Sequence, residues 1–172
     1  MTILDKVKDH FYLQGLHKDI LHARKTSPFV HLHRIIILTR LESEKERDMV
    51  VQWAEQWHNT SGNVTLVQRV KQKDGPEYCQ DTLKASDLTW TGIPKAEKLS
   101  IYKRDHFDLL INLDTTRDKA MEYLSAAIHA DMKVGLVENP LKIYDLLIDS
   151  EDRTRTEQLQ SIQEIIEKLI VP

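Results

Sequence analysis

Asn112, Asp114, Thr115 and Thr116 follow directly on the apolar run Phe107 to Ile111. An amide, a carboxylate and two hydroxyls within five residues are groups that orient a phosphate or a sugar. The amide and hydroxyls donate to ligand oxygens, and the carboxylate accepts from ligand hydroxyls. A second acidic end, Asp149 and Glu151, follows Tyr144 to Ile148, so the chain holds two segments of the form aromatic-Asp-Leu-Leu-Ile. Carboxylates converging from two such ends would suit acid–base chemistry. The competing explanation is packing, because apolar runs of this kind are what buried strands of an α/β sheet look like. We favour packing for the likeness itself. Ligands in open α/β sheets bind beyond the carboxyl ends of strands, so Asn112, Asp114, Thr115 and Thr116 stand as candidate ligand-binding residues. The short link before Tyr144 suggests an edge position for Asp149.

No complete catalytic set accompanies them, and no catalytic residue is assigned. Gly-x-Gly-x-x-Gly, Walker A, His-Glu-x-x-His and Gly-x-Ser-x-Gly are absent from the sequence. With five glycines there are few places where backbone could wrap a phosphate, so no cofactor is expected. His10, His17, His22, His31 and His33 cluster near the start. The first three lack an i,i+4 pair, and no acidic residue lies between Arg24 and Arg40 to complete a ligand set, so no metal is expected. Cys79 is the only cysteine, which excludes an intrachain disulfide and suits a reducing cytoplasm. A net charge of -3 gives no general drive toward nucleic acid. No stretch approaches the roughly 20 apolar residues of a membrane span.

The elements that position these groups follow from periodicity. Ile3 to Ala23 carries apolar residues at helical spacing, and Ser27-Pro28 ends that helix. The N-terminal helix (1–27) is therefore expected to be separable from a core spanning 34–172. Arg34 to Arg40 reads as a strand buried on both faces. Ser43 and Glu46 form a capping-box pattern ahead of Met49, Val50, Trp53, Ala54 and Trp57 at helical spacing. Val64 to Val70 is a second strand, which makes a parallel crossover. Residues 71–104 read mostly as loop with one short strand near Leu88 to Ile93, where Trp90 either caps a pocket or, the favoured reading, plugs the sheet edge. Phe107 to Asp114 is a strand, Lys119 to Ala130 a helix, and Met132 to Glu138 and Tyr144 to Ser150 are strands. Leu159, Ile162, Ile165, Ile166, Leu169 and Ile170 line the last helix. The link Asn139 to Ile143 is too short for a parallel crossover, so the edge pair Lys133 to Val137 and Tyr144 to Asp149 is expected to be antiparallel unless one of these segments is not a strand of the sheet. The sum is one domain: a three-layer, Rossmann-like α/β fold with a mostly parallel sheet, helices on both faces and an additional N-terminal helix.

Three resemblances bear on function. LLINLDTT resembles the Asp-x-Asp-x-Thr nucleophile motif of haloacid dehalogenase-type phosphatases, but Asn112 replaces the attacking carboxylate, and an amide cannot perform that step. Arg34 to Arg40, Phe107 to Asp114, Ala126-Ala127 and Lys133-Val134-Gly135 resemble the N-terminal half of heptosyltransferase-type glycosyltransferases. The Gly-Asp turn after the first strand and the whole nucleotide-sugar half are missing, so that catalysis is not implied. Asp87-Leu-Thr-Trp90-Thr-Gly92-Ile-Pro94-Lys95, FDLLINLD, KVG and YDLLID together resemble a family of small bacterial proteins of unknown function, a resemblance that implies a fold and no reaction. Two function classes follow. One is a non-catalytic domain that recognises a small ligand, or a protein partner through its N-terminal helix. The other is a degenerate glycosyltransferase-like or phospho-ligand-binding enzyme or sensor that uses Asn112, Asp114, Thr115 and Thr116. A concave pocket joining these residues to a basic side chain would favour ligand binding.

Overall fold

The computed structural model describes residues 12, 32–61, 63–72, 75–79, 81–150 and 152–169. Strands β1 (Arg34–Thr39), β2 (Asn63–Val70), β3 (Asp81–Lys84), β4 (His106–Asn112), β5 (His129–Gly135) and β6 (Leu146–Leu147) form one sheet in the order β3-β2-β1-β4-β5-β6. Every pair is parallel. Among the described residues there are four α-helices, α1 (Glu44–Ser61), α2 (Ala96–Lys103), α3 (Lys119–Ala127) and α4 (Arg155–Leu169).

Alternation along the central strands builds the two faces, as period-2 geometry requires. Ile35 and Ile37 join Leu109 and Ile111 beneath Val50, Trp53 and Trp57 of α1 and Leu159, Ile162 and Ile166 of α4. Ile36, Leu38 and Leu110 face Tyr102 of α2 and Ala120, Met121 and Leu124 of α3. The expected three-layer Rossmann-like architecture is what forms. The N-terminal helix and the histidines His10, His17, His22 and His31 lie outside the described residues, apart from helical Tyr12. Tyr12 is buried on α3, where its hydroxyl donates to the Lys119 carbonyl at 3.1 Å and to Glu122 Oε2 at 3.3 Å.

Several expectations are corrected. The β5–β6 pair is parallel, not antiparallel, in the register Val134 with Leu146 and Gly135 with Leu147. β5 begins at His129 and ends at Gly135, so the connection runs from Leu136 to Asp145 and has nearly the length a crossover needs. The helix expected to reach Ala130 stops at Ala127, where Ile128 turns to extended backbone. Buried Lys133 donates through Nζ to the Ser125 and Ala126 carbonyls at 2.7 and 3.0 Å, a cation on the helix C-terminus. Residues 71–104 hold β3 and α2 in addition to loop, and Leu88 to Ile93 is not a strand of the sheet. Trp90 is 61% exposed, too open for a plug of the sheet edge.

The two Asp-Leu-Leu-Ile segments are alike for a shared reason. The Asp108 carboxylate accepts from the backbone N–H of His33 and, at 2.7 Å, of Arg34 at the start of β1. The Asp145 carboxylate accepts from Lys133 N–H of β5 at 2.8 Å. Asp108 ties β4 to β1, and Asp145, just ahead of β6, ties that edge to β5. The likeness ends there, since β4 is central and buried whereas Leu147 on β6 is 45% exposed.

Candidate functional site

Strand order reverses between β1 and β4, and the crevice over their carboxyl ends is the place where this fold binds ligands. A cleft of about 210 Å³ opens there, lined by Arg40, Glu42, Glu46, Asp114, Thr115, Thr116, Arg155 and Gln158. A second cleft of about 310 Å³ lies over the ends of β1 and β2, and Arg40 and Glu42 line both. No described residue pairs with the Arg40 guanidinium.

The candidate residues divide. Asp114, Thr115 and Thr116 line the first cleft beside Arg40 and Arg155. Asn112 does not. It lies beneath α3, where its amide donates to the Tyr144 hydroxyl at 2.7 Å and to Ser125 Oγ at 3.2 Å, and its carbonyl oxygen accepts from Asp114 N–H at 3.0 Å. Tyr144 can occupy this position because residue 135 is glycine: a Cβ there would lie 2.6 Å from the Tyr144 ring. Burial, more than these hydrogen bonds offset, pushes the Tyr144 hydroxyl up to about 12.

Asp114 is buried, and its own loop takes both carboxylate oxygens. The Thr116 hydroxyl donates to Oδ1 at 2.8 Å, and Asp118 N–H donates to Oδ2 at 2.9 Å. Its carboxylate is a brace for the β4–α3 turn. Asp118 then caps α3, accepting from Ala120 and Met121 N–H at 3.0 and 3.3 Å. The same carboxylate pairs with Arg69 at 3.3 Å and with Lys71 at 3.3 Å. Arg155 joins three elements: it pairs with Glu46 of α1 at 3.0 Å, donates to the Leu113 carbonyl at 2.7 Å and reaches Gln158 Oε1 at 3.0 Å.

The first βα turn carries no bare helix N-terminus. Ser43 Oγ accepts from Glu46 N–H at 3.1 Å, and Glu46 Oε2 accepts from Glu42 N–H at 2.9 Å, so the capping pattern seen in the sequence forms with the reach shifted by one residue. Glu44 and Glu46 in the first turn add negative charge where an anion would otherwise be welcomed.

The family of unknown function DUF6913 matches residues 8–169. The chain belongs to this DUF6913 family. No curated protein and no solved structure matches it. A DUF6913 chain of this kind therefore carries its functional evidence in its own geometry. Arg40, Arg69, Lys71 and Arg155 are the residues that reading the sequence missed; they are scattered along the chain and share no motif, and only strand order brings them to one edge. Among the described residues no group of three or more histidines, cysteines or acids is arranged to hold a metal, and no helix is long and apolar enough to cross a membrane.

Proposed function

We propose that the chain is a non-catalytic recognition domain that seats a small ligand in the crevice along the carboxyl edge of the sheet. One observation carries this reading: Arg40, without a partner among the described residues, stands at the junction of two clefts over the strand-order switch point. Both Asp114 oxygens accept hydrogen bonds from its own loop, which supports a bracing role for this carboxylate and leaves ligand recognition to Arg40 and the hydroxyls beside it. Asp114 forms part of the wall, Thr115 offers a hydroxyl donor, Thr116, whose proton goes to Asp114, offers an acceptor oxygen, and Asn112 supports them from beneath. The likeness of Arg34 to Arg40 and Phe107 to Asp114 to heptosyltransferase-type segments supports a shared fold, with no reaction carried over. A cytoplasmic, bacterial setting suits the single cysteine and the resemblances. The competing use of the N-terminal helix as a partner-docking element has less support, since Tyr12 is already committed to α3.

Native mass spectrometry of the purified protein, followed by a thermal-shift screen of small metabolites, tests this. A ligand at about 100 times its Kd stabilises by about 2.7 kcal/mol, which for a chain of this size raises Tm by roughly 5–10 °C. The expected result is a ligand that shifts wild type and shifts Arg40→Ala far less. The reading fails if no ligand co-purifies and none shifts Tm, or if both proteins respond equally.

A further inference from the structure

The two halves of the crevice differ in charge, and that difference names a ligand class. Over β1 and β4 the lining holds two cations, Arg40 and Arg155, against three carboxylates, Glu42, Glu46 and Asp114. Over β1 and β2 the described lining residues include three cations, Arg40, Arg69 and Lys71, and one carboxylate, Glu42. We infer that the cleft over β1 and β2 is the seat of a phosphate group, and that the ligand is a phosphorylated small molecule whose hydroxyl-bearing remainder runs past Arg40 toward Thr115 and Thr116. This deepens the proposed function and rests on it.

Arg69 makes the seat a built one. Its side chain is 7% exposed, yet it lines the cleft. Nε is held by Asp118, and Nη1 donates to the Val70 and Leu83 carbonyls at 2.6 and 3.1 Å. Nη2 has no partner among the described residues, so a fixed guanidinium keeps two N–H groups for a ligand. Lys71, 40% exposed, shares the Asp118 carboxylate at 3.3 Å and stays within reach of the cleft. One carboxylate thus orients two of the three cations without neutralising the set. Three cationic side chains match a phosphomonoester better than a carboxylate, because phosphate brings roughly two negative charges and three acceptor oxygens. Side chains must supply the seat here, since the N-terminus of α1 is capped by its own Ser43 and Glu46.

The test uses the full chain with inorganic phosphate, a hexose 6-phosphate and the unphosphorylated hexose as probes, followed by amide chemical shifts and calorimetry. Wild type should bind phosphate, bind hexose phosphate more tightly, and show no binding of the hexose. Arg40→Gln and Lys71→Gln should each weaken phosphate binding by roughly ten- to hundredfold, the worth of a hydrogen bond to a charged group. Both side chains are partly exposed, so the variants should fold, and Lys168→Gln, at the exposed far end of α4, should bind as wild type does. Equal affinity of Lys71→Gln and wild type overturns the inference. So does a hexose that binds in the crevice where phosphate does not, an outcome that leaves the proposed small-ligand function standing. Failure of both phosphate probes to bind overturns the inference, and the metabolite screen then decides the broader reading separately.

Discussion

Asp118→Asn separates the two tasks of one buried carboxylate. Asparagine caps a helix as well as aspartate does, so the bonds from Ala120 and Met121 N–H retain an acceptor. The charge opposite Arg69 is lost. Removing one partner of a buried ion pair costs about 3–5 kcal/mol when the other charge is stranded. Arg69 is not wholly stranded: Nη1 keeps the Val70 and Leu83 carbonyls, and the distances to Asp118, 3.3 and 3.4 Å, are long for a charge-assisted bond. Lys71, partly exposed, adds less than about 1 kcal/mol. The expected loss for Asp118→Asn is therefore about 2 kcal/mol. Asp118→Ala also removes the cap, adding about 1 kcal/mol, for a total of about 3 kcal/mol. Urea unfolding followed by circular dichroism, with m-values compared to confirm a common unfolded state, measures both. If Asp118→Asn lies within about 0.5 kcal/mol of wild type, the ion pair does not hold Arg69, and the argument for a fixed guanidinium at the crevice collapses.

Other outcomes follow from burial and geometry. Leu110→Ala, in the fully buried centre of β4, should cost about 2–5 kcal/mol in the same assay, while Leu147→Ala, on the exposed edge strand, should cost well under about 1 kcal/mol. Gly135→Ala should destabilise by about 1–3 kcal/mol, because its Cβ would meet the Tyr144 ring at 2.6 Å. Burial pushes the Cys79 thiol up to about 11 from 9.0, and the Tyr144 phenol up to about 12 from 10.0. Both groups ionise more readily in the unfolded chain, so the stability they hold at neutral pH should be lost as pH rises from about 9 toward 12, seen as a falling urea midpoint. A chain beginning at Pro28 should still unfold cooperatively, since among the described residues the two main core clusters draw on residues from Leu32 onward, but at a lower Tm because Tyr12 no longer covers Tyr123, Ala126 and Ala127.

What could be read from the sequence was whatever depends on local apolar period. Ile35 to Leu38, Leu109 to Ile111 and the stripe Val50, Trp53, Ala54 and Trp57 are recognisable because burial on one or both faces writes a period into consecutive residues. α2 escaped because it buries only Tyr102 and leaves Ile101 52% exposed, so it has no stripe to find. β3 escaped because the four residues DTLK offer a single large apolar side chain, Leu83. The end of α3 was misplaced because Ala126, Ala127 and Ile128 continue a helical pattern that only a tertiary contact, the Lys133 ammonium on the last carbonyls, brings to a stop. At the strand end, Asp114 to Thr116 line the cleft that strand position predicts, whereas strand alternation turns Asn112 under α3, away from the cleft.

The charges explain why a fold with this strand order lacks the glycine-rich first turn that often accompanies it. In that arrangement the helix N-terminus binds the anion and glycine lets the backbone approach. Here Glu42, Ser43 and Glu46 close the first turn on itself, and Arg155 from α4 neutralises Glu46 while donating to the Leu113 carbonyl at the end of β4. The turn becomes a joint that fastens α1 and α4 to the central strand. Recognition of an anion then falls to side chains at the end of β2 and just after β2 and β1, namely Arg69, Lys71 and Arg40. Partly exposed cations such as Lys71 and Arg40 are screened by salt, whereas an anion held at a buried helix terminus is much less so. Ligand affinity in this crevice should therefore fall steeply between low and physiological ionic strength, and the share that survives high salt measures the contribution of buried Arg69.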